Sequence, residues 1–287
     1  MMPPSSRRLL VLMVLVLLGA GCANGSSGDN YRFSLGQLTA TPVTESPKAT
    51  VPLDAPKEAT ETEIATAIGG EVEVLMTRPG GPPAMTPPVS PGARPPIPRD
   101  GYQTAGVRKT AGGMAYSNPT YYKNPLVFVV LAHEGEWLQV MAAARPNGQT
   151  GWIKASEVTL TRTKYRMELT LSDQTLKVYD GNDLFAETKT VIGKPSTRTP
   201  VGKFFINEKI KSDNPGGAYG LWILSTSGYS EDLDQFDNGL PVVAFHGTNQ
   251  PNLIGQQVSN GCIRMPNEVD GKLADNLPAG TPVTISP

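Results

Sequence analysis

One cysteine and one histidine in the C-terminal half of the chain could form a nucleophile and its base. The chain of 287 residues contains two cysteines and two histidines. Cys262 comes after His246 in the sequence, and the residues between them are expected to form a loop. A thiol attacks a carbonyl carbon only as the thiolate, and an imidazole is the usual group that deprotonates it. The two residues are too far apart in sequence to share a helix face. We therefore expect His246 to end a strand and Cys262 to lie on the next element.

The residues around this pair match a known catalytic signature. His246-Gly247-Thr248, followed by Ser259-Asn260-Gly261-Cys262-Ile263-Arg264, resembles the signature of the YkuD-type L,D-transpeptidases. These enzymes are cysteine acyltransferases of the bacterial cell wall. The resemblance covers about residues 165–287. Asn260 stands where this family most often has a histidine, so the resemblance implies no second histidine in the site.

The resemblance implies a role for each residue of the signature. Cys262 would attack a peptide carbonyl and hold the acyl group as a thioester, while His246 would act as the base. A backbone carbonyl orients the histidine in this family, and that of Gly247 is the candidate here. The amides of Gly261 and Cys262 would form the oxyanion hole. We also expect His246 to lower the pKa of the thiol, so that Cys262 is alkylated fast below about pH 7.

Several side chains near the signature are candidates for contacts with the substrate. Arg264 could hold a substrate carboxylate with two hydrogen bonds, or it could brace the loop through backbone carbonyls, and the sequence leaves both alternatives open. Ser259 and Asn260 are also expected to fix the loop by hydrogen bonds. The full set of candidate substrate contacts is Arg264, Ser259, Asn260, Thr248 and Tyr229.

The N-terminal residues carry export signals. Arg7 and Arg8 precede the apolar run Leu9–Leu18, which is too short to span a bilayer and typical of a signal peptide, here residues 1–21. Gly19-Ala20-Gly21-Cys22 resembles a bacterial lipoprotein processing site, although leucine is commoner where Gly19 stands. The expected product is a lipoprotein of the cell envelope that is anchored to the membrane through Cys22 and faces the peptidoglycan. Ordinary secretion with an incidental cysteine is the alternative.

The rest of the chain predicts a mainly β protein with two domains. Residues 22–70 are rich in Ser, Thr, Pro, Ala, Gly and Glu and are predicted to be a disordered tether. Residues 71–160 resemble a small SH3-like β-barrel with a proline-rich insertion at 79–98. Residues 161–287 are predicted to be a β-sandwich catalytic domain with one short helix, for which Asn267 is the expected N-cap.

Two further segments of the predicted catalytic domain lie near the site. Thr199-Pro200-Val201-Gly202 also matches the transpeptidase family and predicts a rigid turn at the edge of the site. Arg198 would be an exposed substrate contact beside that turn. The polar and acidic segment 225–239 is predicted to form a flap over the site.

Composition and charge exclude other functions. The net charge is −1, which gives no electrostatic case for a nucleic acid as partner. A zinc peptidase would need three protein ligands, and the histidines fall in different predicted domains, so we expect neither metal nor cofactor. Trp137 and Trp152 could stack on a sugar or a peptide but are expected to pack in the core. Arg145 and Lys154 are expected to be solvated surface charges.

The resemblance also implies partners and leaves alternatives. Peptidoglycan stem peptides would be donor and acceptor, and the product would be a 3→3-type cross-link. A carbapenem would be a covalent inhibitor, because the thiolate can open its strained ring. Two alternatives remain: an L,D-carboxypeptidase, in which water releases the same thioester, and a non-catalytic lipoprotein that binds the cell wall.

Overall fold

The computed structural model describes residues 61–81, 106–237 and 239–287. The signal peptide, Cys22, most of the tether and most of the proline-rich insertion lie outside these ranges. The lipid anchor therefore stays a prediction. The SH3-like resemblance of residues 71–160, most of which are described, also stays a prediction. No helix among the described residues is long and apolar enough to cross a membrane.

The first half of the described chain forms one eight-stranded sheet. Its strands follow the order β3-β4-β2-β7-β6-β5-β1-β8, and the neighbouring strands run antiparallel. A single 3-10 turn, Ala155–Glu157, precedes its last strand. The strands are β1 (Thr62–Ala67), β2 (Glu71–Leu75), β3 (Val107–Lys109), β4 (Gly113–Ser117), β5 (Val127–Glu134), β6 (Trp137–Met141), β7 (Thr150–Lys154) and β8 (Val158–Thr163).

The second half forms another eight-stranded sheet, a two-stranded parallel pair and a helix. The sheet order is β11-β10-β9-β18-β13-β14-β15-β17, and β12 pairs with β16. A 3-10 turn lies at Pro251–Leu253. The elements are β9 (Tyr165–Thr170), β10 (Thr175–Asp180), β11 (Asp183–Lys189), β12 (Ile192–Gly193), β13 (Gly202–Lys211), β14 (Trp222–Tyr229), β15 (Val242–His246), β16 (Gln257–Ser259), β17 (Ile263–Arg264), α1 (Asn267–Asn276) and β18 (Pro282–Ser286).

The prediction of a mainly β protein with one helix is confirmed for the described residues. The start of the first sheet differs from the prediction, because β1 lies within residues that the sequence assigned to the tether. β1 pairs with β5 on one side and with β8 on the other. Its pairing partners lie at least sixty residues further along the chain, so the local sequence alone does not predict the strand.

The two tryptophans of the first sheet are buried. Trp137 is 9% exposed and Trp152 is 2% exposed, and they pack together with Leu75. The expected core role of both residues is thereby confirmed, and neither ring is available as an open platform for a sugar.

The helix of the second half packs on its sheet without the predicted cap. Leu273, Ala274 and Leu277 are buried in the same core cluster as Phe245 and Ile263. Asn267 was the expected N-cap, but Pro266 occupies that position and no side chain caps the helix. The side chain of Asn267 instead accepts a hydrogen bond from the backbone amide of Thr248, which ties the helix to the residues after β15.

Phe205 on β13 connects the two sheets. It is fully buried and packs in one cluster with Ile64, Val127 and Val129 of the first sheet. The two halves therefore share an apolar interface, which fixes the second sheet against the first.

We expect Phe205→Ala to destabilise the protein by about 3–5 kcal/mol, because it removes a buried aromatic ring and leaves a cavity at this interface. Chemical denaturation of the wild type and the variant measures the change. Leu184→Ala is the control, since Leu184 is 52% exposed, and it should change stability by less than about 0.5 kcal/mol. Equal losses for the two variants would contradict the assigned role of Phe205.

Candidate active site

Cys262 and His246 line the same cavity in the second sheet. The cavity has a volume of about 180 Å³. Other residues that line it are Tyr219, Ser230, Leu233, Phe236, Asn260 and Arg264. The structure thus brings together the two residues whose types suggested a nucleophile and a base, with an arginine and an apolar wall beside them.

The register of two parallel strands places Cys262 near His246. β15 and β17 are neighbours, with Phe245 opposite Ile263 and His246 opposite Arg264. Cys262 immediately precedes β17, so one further step of the register puts it across from Ala244. Side chains alternate along a strand, and Cys262 therefore points to the same face as His246. Diagonal neighbours of this kind have Cα atoms about 7–8 Å apart, within reach of their side chains.

His246 is held in one tautomer by a backbone carbonyl. Its Nδ1 lies 2.6 Å from the carbonyl oxygen of Gly247, which can only accept, so Nδ1 carries the proton. Nε2 is therefore the basic nitrogen. The ring of Tyr219 packs edge-on against the imidazole with 4.9 Å between the ring centroids. The resemblance had assigned the orienting role to the carbonyl of Gly247, and the geometry agrees with it.

Burial keeps His246 neutral. The residue is 3% exposed. Desolvation lowers its pKa to about 4, the hydrogen bond with Gly247 raises the pKa, and the positive charge of Arg264 lowers it further. At neutral pH the imidazole is therefore in the form that can accept a proton.

Gly247 is at a position where a larger residue does not fit. A Cβ atom there would lie 2.2 Å from Oδ1 of Asn267 and 2.9 Å from Cα of Gly220. The next residue, Thr248, is buried, and its hydroxyl accepts a hydrogen bond from the amide of Gln250 at 3.0 Å. Thr248 is not among the residues that line the cavity. The structure thus gives Thr248 a packing role rather than the predicted contact with substrate.

Hydrogen bonds from two threonines fix the loop that carries Cys262. Thr197 donates to the carbonyl of Ser259 at 3.1 Å, and Thr199 donates to the carbonyl of Gly261 at 2.9 Å. Both hydroxyls are buried. Gly261 has φ of 114°, a conformation that favours glycine. Residues 199–201, where a rigid turn was predicted, are an irregular segment that leads into β13 at Gly202, and Thr199 of this segment braces the loop of Cys262.

The oxyanion hole differs from the prediction. The hydroxyl of Ser259 accepts a hydrogen bond from the amide of Gly261 at 3.1 Å and donates to the carbonyl of Cys262 at 2.6 Å. Because the amide of Gly261 is already used within the loop, the amide of Cys262 is the remaining candidate of the predicted pair. Ser259 thus fixes the loop, as expected, although it also lines the cavity.

The predicted low pKa of the thiol is wrong for this arrangement. Burial raises the pKa of Cys262, and a backbone hydrogen bond from Ala244 and the charge of Arg264 only partly oppose that effect. Sγ also lies 3.8 Å from the carbonyl oxygen of Val242, to which a protonated thiol can donate. A neutral imidazole supplies no charge to stabilise the thiolate. The resting pair is therefore a thiol beside a neutral base.

Arg264 has donors left for a ligand. Its Nη1 lies 3.4 Å from Oε1 of Gln250, and its Nε is buried without a hydrogen-bond partner among the described residues. The side chain borders the cavity. Since its hydrogen bond goes to a side chain rather than to backbone carbonyls, the structure favours a substrate contact over a loop brace.

The described residues between β14 and β15, 230–237 and 239–241, form one wall of the cavity and are called the flap below. Ser230, Leu233 and Phe236 of the flap line the cavity. Tyr229, the residue before the flap, does not. It is 2% exposed, and its hydroxyl donates to the carbonyl of Ala143 in the first half of the chain. The structure thus turns Tyr229 away from the predicted substrate groove.

Other predicted and unpredicted residues are placed as follows. Asn260 lines the cavity, and its Oδ1 accepts a hydrogen bond from Lys194 at 2.9 Å. Tyr219 was not predicted, because nothing in its local sequence shows that its ring, in the loop before β14, meets His246 at the end of β15. Arg198 is exposed as predicted, and its guanidinium makes two hydrogen bonds to Asp232. No group of three metal-ligating side chains occurs among the described residues.

Known proteins resemble the second half of the chain. Residues 164–285 match the YkuD family model, which describes an L,D-transpeptidase catalytic domain. The YkuD protein of Bacillus licheniformis is 37% identical over 123 residues, which are 43% of this chain and 66% of that protein. The YkuD protein of Bacillus subtilis is 35% identical over 122 residues, which are 42% of this chain and 66% of that protein. The chain thus spans just under two thirds of these relatives.

Solved structures of L,D-transpeptidases also resemble parts of this chain. The catalytic domain of an E. faecium L,D-transpeptidase shares 25% identity and covers 42% of this chain and 95% of its own, with a TM-score of 0.32. L,D-transpeptidase 3 from Mycobacterium tuberculosis, in complex with a faropenem-derived adduct, shares 14% identity and covers 64% and 78%, with a TM-score of 0.36. Residues 164–285 thus resemble the YkuD family of L,D-transpeptidase catalytic domains.

The pH dependence of alkylation tests the neutral pair. A Cys22→Ser protein leaves Cys262 as the single thiol. Because the pKa of Cys262 is raised and His246 stays neutral, its reaction rate with iodoacetamide should rise about tenfold per pH unit from about pH 6 to about pH 9. A rate that is already constant across this range would show a thiolate–imidazolium pair and contradict the assignment.

Proposed function

We propose that the protein is a peptidoglycan L,D-transpeptidase that forms 3→3-type cross-links through a thioester on Cys262. The observation that carries the proposal is the shared cavity of Cys262, neutral His246 and Arg264 with its unpaired donor. The cavity thus contains a candidate nucleophile, a candidate base and a cation that can bind a carboxylate. Acyl transfer from a peptide that carries a carboxylate would use all three.

The first half-reaction follows from the protonation states. As Sγ of Cys262 attacks the carbonyl carbon of the donor peptide, Nε2 of His246 accepts the thiol proton. The carbonyl oxygen becomes an oxyanion, for which the amide of Cys262 is the candidate donor. When the carbon–nitrogen bond breaks, the imidazolium returns its proton to the leaving amine. The products are a thioester and a released amine, and His246 is again neutral.

The second half-reaction reverses these roles. An acceptor amine in its neutral form attacks the thioester carbon and gives a proton to Nε2 of His246. The thiolate of Cys262 leaves and recovers that proton, which restores the resting pair. The carbonyl of Gly247 keeps Nδ1 protonated throughout and stabilises the transient imidazolium.

The donor is proposed to be a tetrapeptide stem that is cut after its third residue, with release of the terminal D-Ala. Arg264 would bind a carboxylate of this stem, because its guanidinium borders the cavity and keeps a buried Nε without a partner. Leu233 and Phe236 supply an apolar wall for the rest of the donor.

We also propose, from the sequence alone, that the protein is exported and anchored through a lipid at Cys22. The apolar run Leu9–Leu18 and the processing site at Gly19–Cys22 support this location. The tether that follows would let the catalytic domain reach peptidoglycan beyond the membrane surface.

Cys262→Ala should abolish acylation and cross-linking on purified stem peptides, while thermal unfolding stays close to that of the wild type. Mass spectrometry of the protein and of the peptide products measures both activities. Products from the wild type also separate the two enzymatic outcomes: a cross-linked dimer supports the transpeptidase, whereas only shortened peptide would support the carboxypeptidase. Full cross-linking activity in Cys262→Ala would refute the proposal.

A carbapenem tests the role of Arg264. It presents a strained amide and a carboxylate, so Cys262 should open its ring and retain the adduct. Arg264→Ala should slow this acylation by roughly tenfold to a hundredfold, because one charge-assisted hydrogen bond contributes about 1.5–3 kcal/mol. Arg264→Lys, which keeps the charge, should lose less. Intact-mass spectrometry follows the adduct with time, and an unchanged rate in Arg264→Ala would remove its role in binding the carboxylate.

A further inference from the structure

A corner of the first half of the chain holds the flap of the active site. The corner is Arg145-Pro146-Asn147, which lies between β6 and β7. Arg145 was expected to be a solvated charge, but its guanidinium donates to flap carbonyls. Its Nη2 donates to the carbonyls of Ser230 and Leu233, both at 3.2 Å, and its Nη1 donates to that of Asp234 at 3.4 Å.

Asn147 fixes the beginning of the flap. Its Oδ1 accepts a hydrogen bond from the amide of Tyr229, and its Nδ2 donates to the carbonyl of the same residue, both at 2.8 Å. Nδ2 also lies 3.3 Å from a carboxylate oxygen of Glu231. An asparagine side chain that pairs with both backbone groups of one residue replaces the pairing of a neighbouring strand.

The flap is fixed at a second point by the turn that braces the nucleophile. Arg198 makes two side-chain hydrogen bonds to Asp232, at 3.0 and 2.8 Å, and its amide donates to the same carboxylate at 2.8 Å. Arg198 lies between Thr197 and Thr199, whose hydroxyls hold the loop of Cys262. The flap thus connects the corner of the first half with the nucleophile loop.

The residues held in this way are also cavity residues. Ser230 and Leu233 give their carbonyls to Arg145 and also line the cavity of Cys262. Phe236, further along the flap, completes the same wall. A shift of the flap would change the width of the cavity. Cys262 and His246 have further contacts outside the flap, to the hydroxyl of Ser259 and the carbonyl of Gly247 respectively, and these contacts do not depend on Arg145.

We propose that Arg145 and Asn147 are positioning residues for the acyl-donor cavity. The first half of the chain then sets the flap wall against which the donor binds. The functional half of this inference rests on the proposed function, whereas the mechanical half, that the corner orders the flap, does not.

Hydrogen–deuterium exchange of the full protein tests the mechanical half. In Arg145→Ala, amides of residues 230–237 should exchange at least about tenfold faster than in the wild type, because the variant loses three hydrogen bonds from a charged donor and the loss of one alone corresponds to roughly tenfold to a hundredfold. Arg162→Ala is the matched control, because Arg162 pairs only with Glu61 and Glu63 among the ion pairs of the described residues. Equal exchange of the flap in the wild type and in Arg145→Ala would overturn the inference.

Steady-state kinetics on a stem-peptide donor test the functional half. Arg145→Ala and Asn147→Ala should raise KM for the donor roughly tenfold and change kcat little, because a flap that is ordered for only part of the time reduces the apparent affinity by that fraction. Arg145→Lys should recover part of the loss, since its ammonium also donates to carbonyls. The alkylation rate of Cys262 by iodoacetamide should stay that of the wild type.

The exchange experiment decides the mechanical half of the inference, and the kinetic experiment decides the functional half. An unchanged KM beside faster flap exchange would overturn the functional half, and a fall in kcat at constant KM would do the same. A wild type that transfers no acyl group would overturn the proposed function, whereas the exchange experiment would still decide whether the corner orders the flap.

Discussion

The site depends on two hydrogen bonds between threonine hydroxyls and the carbonyls of the loop that presents the nucleophile. Thr197 and Thr199 hold the carbonyls of Ser259 and Gly261, and a backbone hydrogen bond from Lys194 also reaches Ser259. The backbones of Gly193 and Thr197 lie so close together that a Cβ atom on Gly193 would be 2.2 Å from the carbonyl oxygen of Thr197. Because the loop is fixed at these points, Gly261 can keep its positive φ of 114°. The thiol of Cys262 then remains at one position beside β15.

Burial gives the thiol and the imidazole their resting states. Desolvation raises the pKa of Cys262 and lowers that of His246 to about 4, so both groups are neutral when no substrate is present. In the proposed mechanism, charge separation then occurs only as a substrate carbonyl accepts the electrons of the sulfur. A protonated thiol also resists oxidation, since the thiolate is the reactive form.

The sequence predicts the parts of the site that are local. Cys262, His246 and the carbonyl of Gly247 belong to two short motifs, and the parallel pairing of β15 and β17 brings those motifs together. The sequence does not predict Tyr219, whose ring meets His246 through tertiary packing. It also misassigns Tyr229, because a buried tyrosine and a groove tyrosine have the same local pattern. The error becomes visible only through the contact of its hydroxyl with Ala143.

Contacts between the two halves of the chain explain the other differences. Arg145 has the sequence context of a surface charge, and only the fold places it against flap carbonyls more than eighty residues away. β1 gains its pairing from distant strands in the same way. The pKa of the thiol was predicted from the presence of a histidine, whereas burial, which a sequence does not reveal, determines its direction.

The protonation state of His246 is the most direct test of this account. The chain has two histidines, so ¹⁵N imidazole spectra of the labelled protein can be assigned with a His133→Gln variant. The account predicts a neutral ring with the proton on Nδ1 from about pH 5 to about pH 8, as burial and the Gly247 carbonyl require. An imidazolium at neutral pH that becomes neutral in Cys262→Ala would show a resting ion pair and contradict the account.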